Sequence, residues 1–274
     1  SNVASSAGSL PKVATVKPII RKQKSVEKLM EEAGGTNDYA YVTDNIRKQR
    51  RTKPAPKKTV KAYKLFRVDP RKPGQLFPLF VKANEEVLTD VWYDAEVGDL
   101  TPDGKVKSKI GNLAYRPGWH MGDAPIATHI GEKYNFDKKS TDKSLKKPTA
   151  RNANHVWAEV EVSADVNWQT EANKRASKTK EGKIIPRTAH ITDQIPEDGY
   201  YRYKTNPNMT GNWIIGGAIK VNRVLTDQEV KDINDKAGVA DLPRVEPIDL
   251  SEYGFEEPTI RKQKKKKPKS KIKD

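Results

Sequence analysis

Residues His155 to Asp165 read HVWAEVEVSAD. Val156, Ala158, Val160 and Val162 alternate there with Trp157, Glu159, Glu161 and Ser163. A period of two sorts these sets onto opposite faces of an extended chain. A helix turns 100° per residue and would put Val156 and Val160 on one side and Ala158 and Val162 on the opposite side. The stretch therefore predicts a strand with the valines on a core face and Glu159 and Glu161 together on the other. Any fold for this chain must supply a sheet whose apolar side can be sealed.

The neighbouring segments suit such a sheet. YKLFRV and LFPLFVK flank DPRKPGQ, a turn-forming stretch, and predict a hairpin. EVLTDVWYDAE is strand-like. YYRYKT and NWIIGGAIKVNRVL read as two further strands joined by NPNMTGN, with Gly216 and Gly217 marking a bulge or a close backbone approach. NWQTEANKRASKTK reads as a short helix or helical turn. TDQEVKDINDKAG reads as another, with Thr226 and Glu229 spaced for a capping box. KSVEKLMEEAGG predicts a helix in the N-terminal part, and residues 46–61 read as a basic, proline-broken linker. NFDKKSTDKSLKKPTARNAN is polar enough for a loop. Strands with a few short helices predict an α+β fold: a single domain with a twisted, mostly antiparallel sheet.

Charge divides the chain into three. Residues 1–62 hold 14 Lys and Arg against 5 Asp and Glu, and residues 259–274 hold 9 against 1. Residues 63–258 hold 29 against 30. The expected organisation is thus a basic, largely disordered arm over 1–62, an α+β core over 63–258 and a lysine-rich tail over 259–274. Basic arms of this kind neutralise phosphates without reading bases. Arg47, Lys48, Arg50 and Arg51 in one arm, and Lys264, Lys265, Lys266 and Lys267 in the other, are the expected nucleic-acid contacts. The alternative for such runs is a solvated, solubilising surface. The tetrapeptide IRKQ occurs at residues 20, 46 and 260, too unevenly for a structural repeat.

Absent signatures narrow the chemistry. There is no cysteine, no phosphate-binding glycine loop, no G-x-S-x-G elbow and no H-E-x-x-H. No metal site, cofactor or membrane span is expected. Four histidines remain: His120, His129, His155 and His190. His120 lies in AYRPGWHMGDAPIATHIGEKY, beside Arg116, Trp119 and Asp123. Imidazole suits proton transfer near neutrality, and arginine can clamp phosphate or carboxylate. The competing expectation is structural: Trp119 anchors the loop and His120 caps a backbone group.

The order YKLFRV, LFPLFV, YRPGWHMGDAP, HVWAEVEVSADVNWQTEA, DGYYRYKTNPN and WIIGGAIKVNRVL resembles an uncharacterised domain. That domain recurs in large polyvalent proteins of Bacteroidetes phages and mobile elements. The resemblance runs from about Tyr63 to Val230, and RPGWH is its most specific part. It implies a role around DNA transfer or early takeover of a host, other phage proteins as partners, and residence in the bacterial cytoplasm or the virion. A weaker similarity, to ADP-ribosyltransferases, lines up Arg67, His120, Tyr201 and Glu229 and implies NAD bound by Arg67 and Tyr201.

Two functions are therefore expected as alternatives. One is non-specific association with nucleic acid through the arms. The other is an enzyme on the RPGWH loop. It is either ADP-ribosyltransferase-like or a metal-independent RNase with His120 and His190 as the acid–base pair, Arg116 as clamp and Lys204 stabilising charge.

Overall fold

The computed structural model describes residues 51, 53–108, 111, 113, 115–132 and 148–255. The expected N-terminal helix, most of the polar loop and the lysine tail lie outside the described residues. So do Arg47, Lys48, Arg50 and Lys264 to Lys267.

Among the described residues, eight strands and two α-helices give the α+β class. The strands are β1 (Thr59–Arg67), β2 (Trp92–Asp94), β3 (Trp119–Gly122), β4 (His155–Ser163), β5 (Val166–Asn167), β6 (Gly199–Tyr203), β7 (Trp213–Gly216) and β8 (Ala218–Val224). The helices are α1 (Gln169–Arg175) and α2 (Asp227–Ala237). One sheet takes the order β2-β8-β4-β1-β3-β7-β6-β5. Every pair is antiparallel except β5 with β6.

The predicted alternation of β4 is present. Val156, Ala158, Val160 and Val162 are buried, while Glu159 and Glu161 share the opposite face. β4 pairs with β1 over its full length, from Thr59 against Ser163 to Arg67 against His155. Two expectations are corrected. β1 does not form a hairpin with LFPLFVK. Its partners are β4 and β3, and only the bridge between Arg67 and Phe77 survives from the expected pairing. NWIIGGAIKVNRVL is also not one strand. It is β7 and β8, parted by Gly217 alone.

That single residue dictates the shape of the sheet. β4, β1 and β3 lie between β8 and β7 in the strand order. On a flat sheet, four strand spacings would separate β7 from β8 by about 19 Å. Two peptide units span about 7 Å at most. The sheet must therefore roll until β7 and β8 meet. Across the closure, the Gly217 N–H donates to the Gly199 carbonyl at 2.9 Å, and the Ala218 N–H donates to the Ser163 hydroxyl at 3.2 Å. A Cβ on Gly216 would stand 2.3 Å from Val162 Cγ1, and one on Gly217 would stand 2.3 Å from the Pro196 carbonyl oxygen. The paired glycines are thus the close approach expected from the sequence.

The inside of the roll is the main core, with Ala62, Phe66, Met121, Val160, Val162, Ile214, Ile219 and Val221 packed together. Two covers protect the outer face. α2 and the segment around Ala127 seal Tyr63, Leu65 and Trp157, and α1 with Ile191 seals Tyr201, Tyr203 and Ile215. Between them, the outer face carries a charge ladder: Lys61 to Glu159 at 3.1 Å, Lys220 to Glu161 at 3.0 Å and Arg223 to Glu229 at 2.7 Å. Among the described residues, no helix is long and apolar enough to cross a membrane.

The core begins before the expected boundary. Residues 62 and 63 sit inside β1, and the Arg51 N–H donates to the Trp92 carbonyl at 2.9 Å. Its guanidinium pairs with Asp94 at 2.7 Å and with Asp198 at 2.5 Å, leaving the side chain only 5% exposed. Arg51, expected to meet nucleic acid, instead pins the start of the domain to the sheet.

Candidate functional site

The RPGWH loop leads directly into β3. Gly118 has φ 132, and a Cβ there would strike Ile215 Cγ2 at 2.5 Å. Only glycine fits that backbone against β7. Trp119 and Met121 turn into the roll. The Trp119 indole N–H donates to the Tyr93 carbonyl at 3.1 Å, and Met121 is buried. Alternation then throws His120 onto the outer face, between the two covers.

His120 Nε2 lies 2.7 Å from the Arg116 carbonyl oxygen. A carbonyl only accepts, so Nε2 carries the hydrogen and Nδ1 is left as an acceptor. The structural expectation for this loop, an anchoring Trp119 and a capping His120, is thus what the geometry displays. His120 is an exposed residue, yet the protein packed around it desolvates the ring. That desolvation, aided by the charges of Lys64 and Arg116, holds the imidazolium well below the usual histidine range, against the hydrogen bond to Arg116.

Arg116 gathers the other members of the group. Its guanidinium stands 5.8 Å over the Tyr203 ring, and the His190 ring meets the same tyrosine edge-on at 6.2 Å. His190 Nδ1 donates to the Arg187 carbonyl at 3.0 Å, which leaves Nε2 as its acceptor. Burial and the charge of Arg116 lower its pKa as well. Burial raises the pKa of Tyr203, against the pull of Arg116. The structure therefore brings His120 and His190 beside one cation, Arg116. Both imidazoles are neutral at pH 7 and each offers one lone pair. Such a pair accepts hydrogen bonds beside an arginine. The lowered pKa values of both rings disfavour the protonated partner that general acid catalysis needs at neutrality.

The other expected residues serve the fold. The Lys204 ammonium donates to the Met209 carbonyl at 2.9 Å, within the turn after β6. The Arg67 guanidinium lies 4.7 Å over Phe77 and donates to the Ala83 carbonyl. Tyr201 is wholly buried, and its hydroxyl accepts the Ile191 N–H at 3.1 Å. The two residues assigned to NAD are thus both engaged in packing. Glu229 closes the capping box of α2 and pairs with Arg223. Asp123 holds the backbone and side chain of Asn212. His129 packs edge-on against Trp213 at 5.6 Å.

Lys64 is a member of this neighbourhood that the sequence reasoning misses. It stands in phase with Val60, Ala62 and Phe66 on the inner side of β1. Its ammonium lies 5.3 Å from the Trp119 ring and 5.5 Å from Phe66, and donates to the His120 carbonyl at 2.9 Å. Burial pushes it down to about 8. A lysine on the apolar phase of a strand is the signal that could have found it. Among the described residues, no cluster of three or more His, Asp or Glu side chains could hold a metal ion.

Comparison with protein-family models, with curated proteins and with solved structures returned no match.

Proposed function

We propose that the protein associates with nucleic acid without sequence preference, through basic segments that flank an α+β core. The observation that carries this reading is the placement of charge. With the core starting at Arg51, residues 1–50 hold 9 Lys and Arg against 5 Asp and Glu and residues 259–274 hold 9 against 1, whereas the much longer stretch 51–258 holds 34 against 30. Within the core, many cations are already matched. Lys72 meets Glu86, Arg151 meets Asp227 and Asp241, Lys220 meets Glu161, and Arg244 meets Asp227. A polyanion gains most where cations are not already paired, because each phosphate neutralised releases counterions. The setting we propose is a phage or mobile-element protein, acting in the cytoplasm of a bacterial host or carried in the virion. The resemblance of the RPGWH-containing region supports that setting.

The test is the salt dependence of oligonucleotide binding by the full chain. Neutralising the tail with Lys264→Gln, Lys265→Gln, Lys266→Gln and Lys267→Gln should flatten the plot of log K against log salt. Binding by that variant equal to the parent's at every salt concentration would remove the lysine-rich tail from the account.

A second reading rests on one specific observation, the convergence of Arg116, His120 and His190. It makes this group an enzymatic centre on the outer face. Arg116→Ala and His120→Ala should then abolish turnover of RNA or of NAD by a chain that keeps its fold. Turnover in both variants at the parent's rate would dismiss it.

A further inference from the structure

The sequence predicts more helix after α1, but the helix stops at Arg175. Ala176 is extended, with ψ 141, and residues 177–185 fold back as a hairpin. Lys178 bridges Ile184, the Thr179 N–H donates to the Lys183 carbonyl at 2.8 Å, and the Ile185 N–H donates to the Ser177 carbonyl at 2.9 Å. The turn is closed by Gly182, whose N–H reaches the Thr179 carbonyl at 3.0 Å and whose φ is +80. A glycine in the left-handed region after such a turn is the usual way to end a three-residue hairpin loop. A Cβ on Gly182 would meet nothing within 4 Å, so the tip projects into solvent.

This hairpin breaks the charge pattern of the core. Residues 169–190 contain Lys174, Arg175, Lys178, Lys180, Lys183 and Arg187 against only Glu171 and Glu181. All six cations are exposed. Lys174 and Arg175 pair with Glu171, and Arg175 also pairs with Asp193. Lys178, Lys180, Lys183 and Arg187 form no ion pair with any described residue. Glu181 hydrogen-bonds Thr179 within the turn. The root of the hairpin leads inward to one further cation, Arg116. The carbonyl of Arg187 holds His190, and Arg116 acts on that histidine.

We propose that the hairpin of residues 177–185 is a phosphodiester-contacting element built into the fold, with Lys178, Lys180 and Lys183 on the backbone of a bound nucleic acid. It extends the nucleic-acid reading above and rests on it for the class of partner. It adds that part of the affinity comes from the core, not from the flanking segments alone. Three unmatched ammonium groups on a backbone already fixed by hydrogen bonds lose little chain entropy when a polyanion arrives. A two-stranded ribbon is also narrow enough to lie in or across a groove of a duplex. None of the three lysines is supported on a base-reading scaffold of its own, so the contact carries no sequence preference.

The experiment compares four full-length chains by fluorescence anisotropy: the parent, Lys178→Gln with Lys180→Gln and Lys183→Gln, the quadruple tail variant, and the combination. The probes are a labelled 20-base-pair DNA, a 20-nucleotide RNA and polyglutamate of equal charge, each across a salt series. Thermal melting checks that the exposed substitutions leave the fold intact. The hairpin variant should reduce the magnitude of the salt slope by about 0.9 for each phosphate it no longer neutralises on duplex DNA, or about 0.7 on a single strand. The combination should show the sum, because the two sites are independent. A hairpin slope equal to the parent's overturns the proposal whatever the tail does. A flattened hairpin slope beside an unchanged tail slope upholds the hairpin and removes the lysine-rich tail. No binding to either oligonucleotide by the parent removes both. Polyglutamate bound as tightly as DNA, with the same dependence on the three lysines, assigns the surface to an acidic protein and overturns the nucleic-acid proposal.

Discussion

Arg116 is the residue on which the outer-face group turns. Its charge bears on His120 and His190, and both are held neutral chiefly by burial. In an unfolded chain these histidines would take up protons near pH 6.5. Below that pH, and down to their lower folded values, the unfolded state binds more protons than the folded one. Acid should therefore weaken the fold across that window, with no contribution from these groups above about pH 7. Arg116→Gln removes the repelling cation, so both imidazoles should titrate at higher pH. NMR titration of the ring protons reads this directly, and an unmoved His190 would break the link to Arg116. Lys64 gives the complementary case at high pH. Its folded pKa of about 8 lies below the ordinary lysine value of 10.5, so the parent gains stability as pH rises from about 8 towards 10.5. Lys64→Met never carries the buried charge. Its melting temperature relative to the parent should be most favourable at pH 7 and fall away by pH 10.5. A difference independent of pH would show that the ammonium is not desolvated.

At the level of elements, legibility follows the length of the pattern. β4 is readable because nine residues keep one period, and α2 because Thr226 and Glu229 form a capping box in the structure as in the sequence. Thr226→Ala should cost about 1 kcal/mol, measured by denaturant melting. Val160→Asp should unfold the chain, since Val160 is fully buried inside the roll and a carboxylate there has no partner. An unchanged melting temperature would contradict the inward face of β4. The pairing of β1 is not readable. YKLFRV is compatible with any antiparallel neighbour, and only long-range packing selects β4 and β3 over the adjacent LFPLFVK. The division of β7 from β8 is hidden for a related reason. A break of one residue leaves the apolar pattern intact, and only the double glycine betrays it. Of the expected site, Arg116, His120 and His190 are legible as residue types. Their shared neighbourhood is not, because it depends on how the segment around His190 folds over β6.

The whole molecule is closed by contacts far apart in sequence, and its boundary follows from them. Arg244 reaches the carbonyls of Ala153 and His155 and pairs with Asp227, while Arg151 joins Asp227 to Asp241. These ties fasten the segment after α2 to the entrance of β4. Arg51 makes the corresponding tie at the other end, joining β2 through Asp94 to the start of β6 through Asp198. Removing one partner of a buried ion pair typically costs about 3–5 kcal/mol. Here the carboxylates are about one-third exposed, so water recovers part of that loss. Arg51→Ala should therefore cost roughly 2–3 kcal/mol. A chain that starts at Tyr63 loses this tie and also residues 59–62 of β1, the strand paired to both β4 and β3. It leaves Val160 and Val162 without the strand that seals them, and exposes an unpaired sheet edge in the middle of the roll. A chain that starts at Ile46 keeps all of these contacts. The longer chain should melt cooperatively and the shorter one should aggregate or melt without a transition. Equal cooperative melting of the two would mean that the roll holds without the first half of its central strand, and that Arg51 is free to serve the basic arm after all.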